Sequence, residues 1–214
     1  MIASYDSRMP PRSVLPLLVL LGLLVGCGAV GRKSSTDDVV SSEPSASPVE
    51  SIQGRWWTWA SSEAESTNPV ADDTGEFCDR NQPEDVWFLA GTFGGTVRRT
   101  CALPSGRPVV FPLVNLVGSQ ADCEDFMVTA KGGAVLDGRP ARPERMEEED
   151  VAVTGVADNP LTGVEGTESF YACGLWVRLQ PLRPGRHTLT IHGSSGGFRV
   201  GADYTLIVGT GRQA

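Results

Sequence analysis

The sequence predicts a mainly β domain: an antiparallel β-sandwich, immunoglobulin-like or jelly-roll-like, with one short N-terminal helix and a disordered tether before it. Three observations carry this. Short runs alternate apolar and polar residues with a period of two, Gly/Pro/Asn/Asp turns recur between them, and helical periodicity is scarce. In "LWVRLQPL", Leu175, Val177 and Leu179 oppose Arg178 and Gln180. In "HTLTIH", Leu189 and Ile191 oppose Thr188 and Thr190, and in "ADYTLIV", Tyr204, Leu206 and Val208 oppose Asp203 and Thr205. Strands with one face on a core and one in water read this way.

The chain begins outside the fold. Arg8 and Arg12 make a basic start, and residues 14–25, "VLPLLVLLGLLV", form an apolar run of 12. That is short of the ~20 residues needed to span a bilayer, but it suits the core of a secretion signal. Either Met1 or Met9 can open it, since a complete signal already follows Met9. Its end, "LVGC" at residues 24–27, resembles the bacterial lipobox. The resemblance implies cleavage before Cys27, a diacylglyceryl group on that cysteine, and a domain held at the outer face of the cell membrane. Two acyl chains anchor stably where one anchors marginally.

Residues 28–53 turn to Ser, Pro, Asp and Glu with few large apolar side chains. Such a segment buries too little surface to offset its ordering entropy and is expected to be a disordered linker. Its reach is about 25–30 Å for a flexible chain. The domain proper is placed at 54–210, long enough for one real core.

Eighteen basic and 26 acidic residues give a net charge of −8. Removing residues 1–27 takes away two arginines and one aspartate, leaving 16 against 25, a net −9. That balance disfavours nucleic acid as a partner.

Within the domain, a helix is expected at 55–65, where Trp56 and Trp59 fall three apart on one face. Strands are expected at 86–92, 96–103, 108–117, 126–136, 151–156, 170–182, 186–192 and 198–208. "RPGR" at 183–186 has Pro and Gly at the centre of a type II turn, and 139–150, "RPARPERMEEED", reads as a solvated loop.

Cys78, Cys101, Cys123 and Cys173 remain after export, separated by 23, 22 and 50 residues. An even count in an exported chain reads as two disulfides, and without a C-x-x-C pair a zinc site is not expected. Of three connectivities, the local one, Cys78–Cys101 and Cys123–Cys173, closes the shorter loops and is favoured.

Catalytic and metal motifs are matched only in form. "GSSGG" at 193–197 formally matches G-x-S-x-G around Ser195, but a strand rather than a helix is expected to follow, and both histidines lie upstream. His187 and His192 fall on opposite faces of one strand, so they do not share an ion. The acidic run 147–150 lacks the spacing of a calcium loop. No cofactor motif is present. Trp56, Trp57 and Trp59 admit two readings: an exposed aromatic platform for sugar rings, or packing of the helix on a sheet, which is preferred.

The stretch "DVWFLAGTFGGTVRRTC" at 85–101 is read by face. Val86, Phe88 and Ala90 lie on one side and Trp87 and Leu89 on the other, so both sides should be covered, one by the partner sheet and one by the helix. Gly94–Gly95 suits a two-residue hairpin turn. In the returning strand Arg99 shares the apolar face with Val97, Cys101 and Leu103. A guanidinium there needs an acidic partner or an anionic ligand. Asp72, Asp73, Glu76 and Asp79 lie in the loop that a Cys78–Cys101 bridge would draw close.

"WWTWA", "NPVADDTGEFC", "VWFLAGTFGG", "RRTCALPSGRPVVFPLVN", "VLDGRP" and "PLRPGRHTLTIHG" together resemble a family of exported bacterial lipoproteins, also called signal proteins, of no assigned activity. The block "WFLAGTFGG…C" is the most specific part. The resemblance implies a β domain in the cell envelope and transfers no catalytic residue. The expected function is therefore a lipid-anchored, non-enzymatic binding or scaffolding module for an envelope glycan, peptide or protein. The alternative is a carbohydrate-active or other envelope hydrolase using carboxylates that the sequence does not locate.

Overall fold

The computed structural model describes residues 51–210; the signal segment, Cys27 and nearly all of the 28–53 tether lie outside the described residues. In chain order the elements are α1 (Ile52–Ala60), β1 (Trp87–Phe88), β2 (Gly95–Leu103), β3 (Val109–Gly118), α2 (Gln120–Thr129), β4 (Lys131–Leu136), β5 (Arg139–Ala141), β6 (Glu144–Gly155), β7 (Gly166–Leu179), β8 (Gly185–Ser195) and β9 (Phe198–Val208). The strands form two packed sheets. One is four-stranded, ordered β1-β3-β7-β6, and the other five-stranded, ordered β2-β9-β8-β4-β5. The mainly β, two-layer architecture read from the alternating runs is the architecture found.

Five ladders are antiparallel, but β1–β3 and β2–β9 pair in parallel, which the all-antiparallel expectation missed. The cause lies at Gly94–Gly95. Rather than closing a hairpin, this pair takes the chain from the four-stranded sheet to the five-stranded one, so β1 and β2 are not partners. Each instead lines up beside a strand reached by a long connection, and only tight turns enforce antiparallel pairing. The bend at Pro184–Gly185 likewise carries the chain between sheets, from β7 to β8.

Two apolar layers hold the fold. Between the sheets pack Phe111, Leu113, Val177, Leu189, Ile191 and Leu206. On the outer face of the four-stranded sheet, α1 packs Trp56 and Trp59 against Phe88, Val110, Val153 and Trp176. The 86–90 stretch serves both layers, Trp87 and Leu89 in the first and Val86, Phe88 and Ala90 in the second. Between the sheets, a Cβ on Gly193 would run into the Leu113 carbonyl oxygen, so only glycine fits there.

Helix α1 starts at Ser51, whose hydroxyl accepts from the Gly54 amide at 3.0 Å. It begins three residues before the sequence boundary and ends at Ala60 rather than running to 65. A second helix, α2, occupies what was expected as the start of a strand at 126–136; only 131–136 is a strand. Ser119 and Asp122 form a reciprocal capping box there, and Cys123 and Met127, four apart, make its single buried stripe.

The 139–150 segment is not a loop but β5 and the first half of β6. Both are edge strands, where proline and charge are tolerated because one side of the ladder is open. Pro140 sits in β5, and Glu147, Glu148 and Glu149 run along β6.

Both favoured cysteine pairs are at disulfide distance. Cys78 and Cys101 have Cα atoms 6.0 Å apart, tying the 70–80 loop to β2. Cys123 and Cys173, at 5.8 Å, tie α2 to β7. No helix among the described residues is long and apolar enough to cross a membrane.

Candidate functional site

The residues singled out in the sequence divide sharply between core and surface. The tryptophans are core. Trp56, Trp57 and Trp59 are 2%, 5% and 4% exposed, so they offer no sugar platform. Trp56 meets Trp57, Trp59 and Trp176 edge-to-face at 4.9–5.9 Å between centroids, as ring quadrupoles prefer. The indole N–H groups of Trp56 and Trp59 donate to the Leu89 and Arg80 carbonyls, both at 2.9 Å.

Arg99 is 2% exposed on β2, but no carboxylate of the described residues lies within ion-pair distance. Its guanidinium donates instead to main-chain carbonyls: Nε to Asp72 (2.6 Å), Nη2 to Val70 (2.8 Å), and Nη1 to Ala90 (3.1 Å) and Gly91 (2.8 Å). Nη1 also reaches the Tyr204 hydroxyl at 2.8 Å. The expected side-chain pair with Asp72, Asp73 or Glu76 is thus replaced by a cage of carbonyl dipoles. Irregular backbone leaves many carbonyls without ladder partners, and one planar fork of N–H donors satisfies several of them.

The acidic residues of that loop serve other purposes. Burial opposes the charge on Asp72. Hydrogen bonds from the Phe77 and Thr74 amides and the Thr74 hydroxyl, with the field of Arg99, outweigh it and hold the carboxyl below its usual range. Asp73 and Glu76 point to solvent.

Ser195 is 6% exposed, and its hydroxyl donates to the Phe126 carbonyl and lies 3.1 Å from that of Thr129. It is a fastening between α2 and the β8–β9 hairpin. His187 and His192 lie on opposite faces of β8, as their offset required. His187 is anchored by Asp137 at 2.7 Å and the Arg183 carbonyl at 2.8 Å. Among the described residues no three His, Cys, Asp or Glu side chains converge as a metal site would need.

What remains open is the outer face of the five-stranded sheet. There β4, β8, β9 and β2 floor an open groove of about 810 Å³. Cross-strand register fixes its rows. Gly133, His192, Gly201 and Thr96 form one row, with His192 exposed between two glycines. A Cβ on Gly133 would sit 3.0 Å from the His192 ring, and one on Gly201 2.7 Å from the Thr96 hydroxyl. The glycines therefore leave the floor bare beside the imidazole.

The next row toward α2 is Lys131, Ser194 and Arg199. Neighbouring strands are about 4.8 Å apart, so the two cations stand one strand either side of the serine. Neither cation makes an ion pair with a described residue. Ser194 is 8% exposed, yet its hydroxyl has no hydrogen-bond partner among the described residues and lines the groove. On the other side of His192 the row is Thr190, Asp203 and Arg98, where Thr190 donates to Asp203 at 3.0 Å.

Lys131, Ser194 and Arg199 escaped the sequence reading. The signal that could have found them is strand parity: in β4, β8 and β9 they share the solvent side with Gly133, His192 and Gly201. No protein-family model, curated protein or solved structure matches this chain.

Proposed function

We propose that this chain is a lipid-anchored, non-enzymatic binding module on the extracytoplasmic face of a bacterial cell membrane. Cys27 carries the diacylglyceryl group, residues 28–53 form the tether, and the β domain presents its five-stranded sheet to a partner in the envelope. The anchor rests on "LVGC" at 24–27 and the apolar run before it. The binding reading rests on one observation above the rest: an open groove in which two exposed cations flank a serine hydroxyl, none of the three bonded to another described side chain. Donors that make no bond within the fold can meet an anion without first breaking one, and charged donors make the stronger bonds.

The non-enzymatic part is supported by Ser195, whose hydroxyl is committed to α2, and by carboxylates used as caps and ion pairs rather than gathered in a cleft.

Two experiments test the reading. Labelling of growing cells with a clickable fatty acid should mark the chain, and Cys27→Ser should abolish the label and release the protein from membranes. Retention of the Cys27→Ser protein in the membrane fraction would overturn the anchor. Immobilised protein should also retain a component from solubilised envelopes, less of it when Lys131 and Arg199 are both alanine. Equal retention by both would remove the groove from the function.

A further inference from the structure

Resting on that reading, we propose that the groove takes a polyanionic sugar chain, one acidic group of which is held by Lys131, Ser194 and Arg199. The first ground is the triad itself. A carboxylate or phosphodiester seated over Ser194 would accept from its hydroxyl and from the ammonium and guanidinium of the adjacent strands. Such charge-assisted hydrogen bonds are about twice as strong as neutral ones. The molecule as a whole is acidic, at −8, so this pair of unpaired cations is a local reversal of its field.

The second ground is what surrounds the triad. Outward-facing hydroxyls continue along the sheet from Thr96 through Thr190 to the row Thr188, Thr205 and Thr100. Asp203, held by Thr190, adds an acceptor in the midst of them. A chain of sugars brings hydroxyls that donate to Asp203 and accept from the threonines, and acidic groups that fall on the cations. An acidic peptide brings mostly further negative charge to Asp203. An anionic lipid would want exposed apolar side chains beside the cations, but the apolar residues of the lining, Ile191, Val200 and Ala202, are buried, and glycine, threonine and histidine face outward between the cations. No Trp, Tyr or Phe of the described residues lines the groove, so a neutral glycan would have only hydroxyls and the His192 imidazole to hold it.

The test uses the full chain in neutral detergent, with binding measured by biolayer interferometry. The probes are oligogalacturonate for the carboxylate arm and a phosphodiester-linked hexose oligomer for the phosphodiester arm. At least one should bind and should weaken as salt rises from about 50 to 500 mM. The Lys131→Ala/Arg199→Ala variant should lose about tenfold or more in affinity, and Ser194→Ala a smaller factor. Arg178→Ala, an exposed arginine on the other sheet, removes one positive charge elsewhere and should leave binding unchanged.

Equal loss in Arg178→Ala would reduce the effect to net charge and overturn the site. Binding of polyglutamate or of phosphatidylglycerol vesicles as tight as that of the sugar chains would overturn the glycan assignment. No binding by either sugar polymer would overturn the polyanion proposal. The module reading would survive that result if solubilised envelopes still yielded a component retained through the groove, and would fall with it if they did not.

Discussion

Arg99 and Tyr204 face each other across the parallel β2–β9 ladder, with Nη1 of the arginine 2.8 Å from the tyrosine hydroxyl. The hydroxyl in turn donates a hydrogen bond to the Ala90 carbonyl at 2.7 Å, so a single polar chain links two strands to the crossover between the sheets. Replacing Arg99 by Met keeps most of the volume but strips the carbonyls of Val70, Asp72, Ala90 and Gly91 of their donor. Urea denaturation should show a loss of about 3 kcal/mol or more, the range for buried polar groups left unpaired. Stability equal to wild type would mean that the carbonyl cage contributes nothing.

Tyr204→Phe is the milder cut. It removes one link and leaves the guanidinium its carbonyls, so about 1 kcal/mol is expected. Together with Arg99→Met it should cost less than the two separate losses, because both act on one network. Strict additivity would separate them.

Gly193 predicts a sharper outcome. Alanine there would drive its Cβ into the Leu113 carbonyl of the facing sheet. Backbone on both sides leaves little room to give way. Gly193→Ala should lower the melting temperature steeply, whereas Gly197→Ala, whose Cβ meets nothing within 4 Å in the adjoining turn, should be nearly silent.

Trp56 and Trp57 separate ring area from hydrogen bonding. Trp56 donates its N–H to the Leu89 carbonyl at 2.9 Å, while the buried N–H of Trp57 has no partner. Phe in place of Trp56 should therefore be the costlier of the two substitutions, by about 1 kcal/mol, since it also orphans a buried carbonyl. Chemical denaturation of the two variants side by side decides it.

His187 gives a pH dependence. The hydrogen bond to Asp137, then that to the Arg183 carbonyl and the Asp137 charge, raise its pKa above the usual 6.5 against the effect of burial. The same bond, aided by the Thr188 amide, lowers that of Asp137 below 3.8. A group with a raised folded pKa stabilises fully below its unfolded value and loses that contribution as pH climbs through the folded one. For Asp137 the contribution is present above 3.8 and lost as pH falls through its lowered value. The pair is therefore strongest between about 4 and 6.5. The gap in melting temperature between wild type and His187→Gln should be wide near pH 5.5 and shrink by about pH 9. A gap independent of pH would show that the imidazolium is not involved.

Much of the fold was legible because strand periodicity is local. The two-faced stretch at 86–90, the alternation of 175–179 and the cysteine pairing needed only neighbouring residues or simple loop lengths. Sheet assignment did not, since Gly94–Gly95 makes a hairpin or a crossover according to partners far along the chain. Helix α2 was hidden by its composition: Phe126, Met127 and Val128 read as strand, while the Ser119–Asp122 cap that decides the matter lies upstream. Arg99 was flagged correctly as the odd residue of its face, but its partners are main-chain carbonyls, which have no sequence signature. The groove was missed for a related reason. Its residues come from four strands and become neighbours only once the register of β2, β4, β8 and β9 is known.

The run of glutamates on β6 carries a consequence for life at high surface density. Its free edge offers unpaired peptide groups, and a second sheet docking there would fuse two molecules into one ladder. Any two copies meeting edge to edge must first bring Glu147, Glu148 and Glu149 of one against those of the other. Were the domains held side by side as the proposed anchor would hold them, that repulsion would set a spacing between neighbours. Crowded copies would then stay separate domains rather than merge into one sheet.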